Sequence, residues 1–298
     1  MKLAALAAAL ALGAAAPSAA PILLREQAWT PAGERLAYDM THAPAECASE
    51  PTPASEIGRA LFRSPNLVGG PAARAGLSCH ACHSNGRVNA RFLLSELTNR
   101  VGAADVTSEW ASKVRGDGID NPVDIPDLAG LNERAAFGQA RDPSLEHFVR
   151  GVIVEEFQGE TPPAQAFDGL IAYLRGLRVC DVAMTPVTLA HAADDVRRAV
   201  AAAGHADAET ARAVLLAAQD AVGRIVERLP PRRFARERAA LEALARELGA
   251  MRNGDAHAAM AAALPGWRAR FDAAITRVAR LDQLTYFNER ALARALAR

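Results

Sequence analysis

Apolar residues recur at intervals of three and four through the last third of the chain. One such stripe runs from Val214 to Leu229, a second from Phe234 to Met251 and a third from Trp267 to Leu281. This spacing places the apolar side chains on one face of a helix. Short connections between the stripes predict that the helices pack side by side as an antiparallel bundle. We therefore assign residues 185–298 to an α-helical bundle.

Shorter helical patterns separated by loops occupy the middle of the chain. A helix is expected over Ser55–Phe62 with Ser55 as its N-cap, another starting at Asp142 and Pro143, and a third over residues 162–178. Residues 91–130 are rich in loop signals. No stretch shows the alternation of a strand. The expected fold class is all-α, with one helical domain over residues 55–180 ahead of the bundle. We expect the domain over residues 55–180 to fold without the bundle.

The N-terminal segment has the pattern of an export signal. Met1 and Lys2 precede an apolar alanine-rich stretch that ends in small residues, so residues 1–20 are predicted to be a signal peptide. The alternatives are a buried helix or a retained anchor. The stretch is short for a bilayer, so no membrane span is expected after cleavage. Five prolines in residues 21–54 predict an extended arm.

Composition narrows the compartment and the partners. Arginine is more frequent than lysine and alanine is abundant, which favours a bacterial source with a GC-rich genome. For an exported bacterial protein, the expected compartment is the periplasm. The chain has 34 basic and 34 acidic residues and a formal net charge of +0, which argues against an electrostatic nucleic-acid binder. Its four cysteines are Cys47, Cys79, Cys82 and Cys180, and an oxidising compartment permits disulfides among them.

The stretch GLSCHACHSNGRVN contains a C-x-x-C-H motif made of Cys79, Cys82 and His83. This is the signature of covalent haem attachment. From one helical turn, two cysteines three positions apart reach the vinyl edge of one porphyrin, and the following histidine becomes the proximal iron ligand. We predict one haem c attached to Cys79 and Cys82, with His83 as the iron ligand.

Zinc and a redox dithiol are the alternatives for this motif. His80 would complete a zinc set, but four ligands in five residues cannot easily surround a tetrahedral ion. A dithiol motif would follow a strand, whereas the preceding residues form a loop rich in Gly, Pro and Ala. If the motif binds haem, His80 is a bystander.

The stretch EIGRALFRSPNLVGGPAARAGLSCHACH resembles the opening of the bacterial di-haem cytochrome c peroxidases and their MauG-type relatives. Three later stretches, NPVDIPDL, AFGQARDPSLEHFV and LIAYLRGL, are similar to further segments of that family. The resemblance covers residues 55–180 and implies a cytochrome c-like haem domain. The family carries two C-x-x-C-H motifs and this chain has one, with the bundle in place of the second haem domain. The electron-relay haem of a di-haem peroxidase is therefore absent from the pattern.

Two interpretations are possible for the axial position of the iron opposite His83. The resemblance places Glu155 and Glu156 near the family's distal glutamate, which would serve acid–base chemistry at an open haem. Alternatively, both are surface carboxylates at a helix end. An electron-transfer haem instead needs a sixth ligand, for which Met184 or His147 are the candidates, followed by Met40 and His42.

Two functions follow from these patterns. The first is a mono-haem cytochrome that passes single electrons to or from a partner cytochrome or dehydrogenase. The second is a peroxidase-like haem enzyme, and a weaker third is a docking role for the bundle. If haem takes Cys79 and Cys82, the remaining Cys47 and Cys180 are expected to form a disulfide between the two ends of the haem domain. The alternative is two free, buried cysteines.

Overall fold

The computed structural model describes residues 24–181, 183–254 and 257–297, so the predicted signal peptide at residues 1–20 lies outside the described residues. The described part is mostly helical, which confirms the expected class at that level. Its α-helices are α1 Leu36–Thr41, α2 Pro53–Phe62, α3 Gly70–Arg74, α4 Cys79–Cys82, α5 Leu145–Gly151, α6 Ala164–Gly176, α7 Leu189–Ala203, α8 Ala208–Glu227, α9 Ala235–Asn253, α10 His257–Ala279 and α11 Glu289–Leu296.

Two pairs of short strands accompany the helices, where the sequence predicted none. β1 (His42–Pro44) pairs antiparallel with β4 (Met184–Pro186), and β2 (Ala103–Ala104) pairs antiparallel with β3 (Val123–Asp124). Strands of two or three residues are too short to show the alternation by which a strand is recognised in a sequence.

From Leu24 onward, the segment predicted as an extended arm contains helical elements. A 3-10 turn at Arg25–Trp29 and helix α1 occupy it, and the side chains of Trp29 and Met40 are buried. The prolines gave a misleading signal because they stand between elements or at their ends, where a missing N–H is tolerated. Pro53, for example, is the first residue of α2.

Two helices begin elsewhere than expected. α2 starts at Pro53 with Thr52 as N-cap, because the Thr52 hydroxyl accepts a hydrogen bond of 3.1 Å from the Ser55 backbone N–H. The N-cap of α5 is Ser144, whose hydroxyl accepts from His147 N at 3.1 Å. Ser and Thr side chains satisfy the free N–H groups of a first turn in this way.

One apolar cluster, the main core, extends from Ile57 to Phe287. α2 packs on α6, α7 and α8, and the later helices pack in succession as α7 on α8, α8 on α9 and α9 on α10. The main core therefore crosses the boundary that the sequence placed between residues 180 and 185. The residues assigned to the two domains share this core.

A second apolar cluster, the loop core, supports the irregular part of the chain. Its members come mostly from loops and short turns: Trp29, Val68, Ala72, Leu77, Ala81, Phe92, Leu94, Leu97, Ala104, Ala111 and Ile125. A third and smaller cluster joins Leu24, Ala37, Met40 and Leu292. Cys79 packs on the main core and Cys82 on the loop core, so α4 lies at the seam between the two.

Candidate functional site

The predicted haem motif forms a single helical turn. α4 runs from Cys79 to Cys82, and His83 ends it by donating its backbone N–H to Cys79 O at 2.8 Å. Both thiols are free. Burial raises the pKa of the Cys79 thiol to about 12, and burial with the neighbouring Cys79 does the same for Cys82. Both thiols are thus protonated at neutral pH, unlike the reactive thiolate of a redox dithiol.

A sharp reversal follows the motif. Asn85 and Gly86 have φ values of 53° and 79°, in the left-handed region that Asn and Gly tolerate best. A Cβ on Gly86 would lie 2.6 Å from Leu177 Cδ2, so only glycine fits there. The reversal brings Gly86 O to Leu128 N at 3.0 Å, which lays the loop around residue 128 against His83.

That loop orients the imidazole of His83. Its Nδ1 lies 3.0 Å from Pro126 O, and because a carbonyl only accepts, Nδ1 carries the proton and Nε2 keeps its lone pair. Burial lowers the pKa of His83 to about 4, against the opposing effects of Pro126 and Asp127. At neutral pH His83 is therefore a neutral imidazole with Nε2 available as a ligand.

Charged side chains hold the Pro126 loop in place. Arg87 Nε pairs with Asp127 Oδ2 at 2.7 Å, and Arg134 donates to the backbone oxygens of Asp127 and Ala129, the latter at 3.3 Å. These contacts limit movement of the carbonyl that orients His83. Supports of this kind fix the ring orientation of a ligating histidine.

The other two cysteines form a disulfide in this structure. Cys47 and Cys180 are bonded across 133 residues, with their Cα atoms 6.5 Å apart. The bond ties the segment before α2 to the segment after α6. It leaves Cys79 and Cys82 as the thiols of the motif.

The zinc alternative gains no support from the geometry. Within residues 24–181, 183–254 and 257–297, no three His, Cys, Asp or Glu side chains converge in a way that could hold a metal ion. A structural zinc site needs four such ligands.

Glu155 and Glu156 lie in a π-helical turn, Val152–Glu156, that continues α5. Glu156 is buried, whereas the Glu155 side chain is 45% exposed. Arg115 binds both, with Nη2 2.7 Å from Glu155 Oε2 and Nη1 3.0 Å from Glu156 Oε1. Burial raises the pKa of Glu156, and Arg115 opposes that rise. Of the two carboxyl groups, only that of Glu156 is buried.

The candidates for a sixth ligand lie on separate elements. Met184 is in β4 and is 50% exposed. His147 is on α5, with a side chain 79% exposed and its Nδ1 against Asp142. Met40 packs into the third cluster, and His42 stacks on Tyr38. None of these surroundings singles out one of the four as an iron ligand.

Sequence reasoning missed the residues that support His83. Asn85-Gly86 is a dipeptide typical of turns and could have indicated the reversal. Pro126 lies 43 residues from His83, and no local pattern connects them.

Comparison with protein-family models, with curated proteins and with solved structures found no match to this chain. In the part of the chain that the structure describes, none of the helices combines the length and the apolar character needed to cross a membrane.

Proposed function

We propose that this protein is a periplasmic mono-haem c-type cytochrome, which carries single electrons to or from a partner cytochrome or dehydrogenase. In this proposal residues 55–180 form a cytochrome c-like haem domain and residues 185–298 an antiparallel helical bundle packed on it. In this proposal, the resemblance to the di-haem cytochrome c peroxidase and MauG-type family applies to the haem domain alone.

The orientation of His83 is the observation that carries the proposal. Pro126 O occupies Nδ1 at 3.0 Å, so the imidazole can ligate iron only through Nε2. Two neutral, unpaired thiols lie on the same turn, three positions apart. Two thioether-forming thiols and one proximal imidazole are the donor set that a covalent haem requires, and these residues fit it.

Haem bound here would supply a one-electron Fe(III)/Fe(II) couple. Cys79 and Cys82 would hold it covalently, and His83 would ligate the iron. The Pro126 carbonyl, held by Gly86, Arg87 and Arg134, would keep the His83 ring in one orientation and raise its basicity. The apolar surroundings of the motif, which are the main core on one side and the loop core on the other, would exclude water.

Covalent attachment is tested by exporting the protein in a bacterium that matures c-type cytochromes. We expect wild-type protein to keep its haem through acid–acetone extraction, and the Cys79→Ser/Cys82→Ser double variant to carry none. His83→Gln should lose the normal ferric spectrum, while His205→Gln, at an exposed position, should match wild type. Extraction of the haem from wild-type protein, or stoichiometric zinc in its place, would refute the proposal.

A peroxidase-like function is the second candidate, and the burial of Glu156 favours it. A carboxyl group with a raised pKa, held by Arg115 in a π-helical turn, is the type of group that moves protons in peroxide cleavage. A high-spin ferric spectrum with peroxide reactivity that Glu156→Gln removes, and Glu155→Gln keeps, would establish it. A six-coordinate low-spin spectrum would favour electron transfer.

A further inference from the structure

A cavity of about 490 Å³ lies beside α4, and Ser78, His80 and Ala81 of the motif turn are part of its wall. His191 and Asp194 on α7 also line it and are exposed, so they mark its mouth. The volume is within the range of small-molecule sites. Six arginines contribute to the wall: Arg25, Arg59, Arg63, Arg198, Arg224 and Arg228.

The inner wall contains charges that are expensive to bury. Arg63 is 5% exposed and Arg59 is 8% exposed. Glu46 accepts from both, at 3.0 Å from Arg63 Nη2 and 2.9 Å from Arg59 Nε, and Asp195 lies 2.6 Å from Arg59 Nη2. Buried ion pairs of this kind seldom add net stability, so their presence around one cavity calls for another role.

The carboxylates of the wall are largely neutralised by these pairs. Burial by itself would raise the pKa of Glu46, but Arg63 and Arg59 outweigh it and hold that pKa far below its usual value. Glu26 is paired with Arg228 at 2.6 Å. An anion inside the cavity would therefore meet few unpaired negative charges.

Arg224 and His80 present donors that the protein does not use. Arg224 Nη1 donates to Arg63 O at 2.7 Å and to Asp220 Oδ2 at 2.6 Å, while across the described ranges its Nε and Nη2 meet no acceptor. His80 Nδ1 accepts from Asn85 N at 3.1 Å, which puts the ring proton on Nε2; there too, no described residue accepts it. Both side chains line the cavity.

We propose that this cavity binds a small oxyanion, a carboxylate or a phosphate, through the free guanidinium edge of Arg224 and Nε2–H of His80. A guanidinium edge matches two oxygens of such an anion. Burial, with Arg63 and Arg224 next and against Asp195 and Glu46, lowers the pKa of His80 to about 3, so His80 acts as a neutral donor. Cys79, Cys82 and His83 are not among the residues that line this cavity.

Calorimetric titration of the purified full chain with inorganic phosphate, and separately with succinate, tests this site at constant ionic strength. We expect saturable binding of one anion per chain for at least one probe. The probe that binds shows whether the site takes a phosphate or a carboxylate. Arg224→Lys should weaken that binding at least about ten-fold, because lysine keeps a charge but loses the free edge. Arg236→Lys, at an exposed position on α9, is the matched control.

His80→Gln provides a second variant if Arg224→Lys does not fold, and it too should weaken binding. Absence of saturable binding for both probes would overturn the proposal. Binding that is equally strong in wild type and in the folded Arg224→Lys or His80→Gln protein would also overturn it, since the anion would then sit elsewhere.

Discussion

In the main core, α2 and α6 cross with their backbones in contact: a Cβ on Gly58 would lie 2.0 Å from Gly169 O. In the loop core, by contrast, single hydrogen bonds from loop residues keep the chain in place, such as Gly102 N to Phe92 O at 2.9 Å. The first region depends on close apolar packing. The second depends on a few left-handed turns and charged side chains.

The motif turn uses both kinds of support. Cys79 rests on the main core, and Cys82 on the loop core. A rigid helical scaffold thus fixes one side of the turn, and a loop orients His83 from the other. Functional groups are commonly held in this way by loops on a rigid scaffold. The difference predicts that disruptive substitutions in the main core prevent folding, whereas substitutions in the loops alter the geometry of the motif.

The largest effect is expected from removing the helices that follow residue 181. The sequence predicted a haem domain that folds without the bundle, but α2 packs on α7 and α8, and Arg59 pairs with Asp195. A chain ending at Asp181 should fail to accumulate as folded protein, because it would expose the apolar face of α2. Soluble yield and circular dichroism measure this.

Supplying residues 183–298 as a separate chain is the control for that truncation, and it should restore folding. A chain ending at Asp181 that unfolds cooperatively and keeps haem would show instead that the haem domain folds without the bundle.

The disulfide should have the next largest effect, because it ties the segment before α2 to the segment after α6 across 133 residues of chain. Replacing both Cys47 and Cys180 by Ser should lower the free energy of unfolding by about 4 kcal/mol, since a long loop is no longer closed in the unfolded chain. Urea unfolding measures the change. Reductant should destabilise wild type and leave the double variant unaltered; two titratable thiols at these positions in unreduced wild type would contradict the prediction.

A single methyl group should disrupt the main core. Gly58→Ala places a Cβ against the Gly169 carbonyl, and because backbone cannot move aside cheaply, we expect a loss of about 3 kcal/mol in unfolding free energy. Gly266→Ala is the matched control. Gly266 is exposed in α10 with only Arg270 Nη1 nearby, at 3.8 Å, so alanine there should stabilise by about 0.5 kcal/mol or more. Equal effects at the two positions would show that the crossing is loose.

The smallest effect, over the range from pH 6.5 to 5, is expected from His80, which lies at the border of the two regions. Burial, Arg63 and Arg224 lower its pKa to about 3, against Asp195 and Glu46. As the pH falls, the imidazole of His80 is therefore protonated in the unfolded chain before it is protonated in the folded protein. The free energy of unfolding that is present above about pH 6.5 is lost as the pH falls towards 3. The contribution has a slope of up to about 1.4 kcal/mol per pH unit.

Unfolding measured in wild type and in His80→Gln isolates this contribution, because His83 and the carboxylates are common to both proteins. The slope between pH 6.5 and 5 should be shallower in His80→Gln, while His205→Gln should behave as wild type. Parallel slopes in all three proteins would mean that His80 titrates normally.

Local patterns were sufficient for much of the helical part. The stripes from Val214 to Leu281 correspond to α8, α9 and α10, because a helix repeats every 3.6 residues and buries the face that its own sequence marks. Helix starts were less predictable. Several Ser, Thr and Asp residues precede α2 and α5, and the backbone geometry decides which of them becomes the N-cap.

The sequence alone determined the mostly helical class and the five residues, Cys79 to His83, that contain the proposed haem motif, because both depend on residues close together in the chain. The tertiary structure decided the rest. It joined α2 to α7 and α8 in one core, brought Pro126 O to His83 Nδ1 across 43 residues, buried Glu156 rather than Glu155, and placed Arg224 beside His80 in one cavity. Contacts between distant residues depend on how elements pack and how loops reverse, and no local period in the chain encodes them.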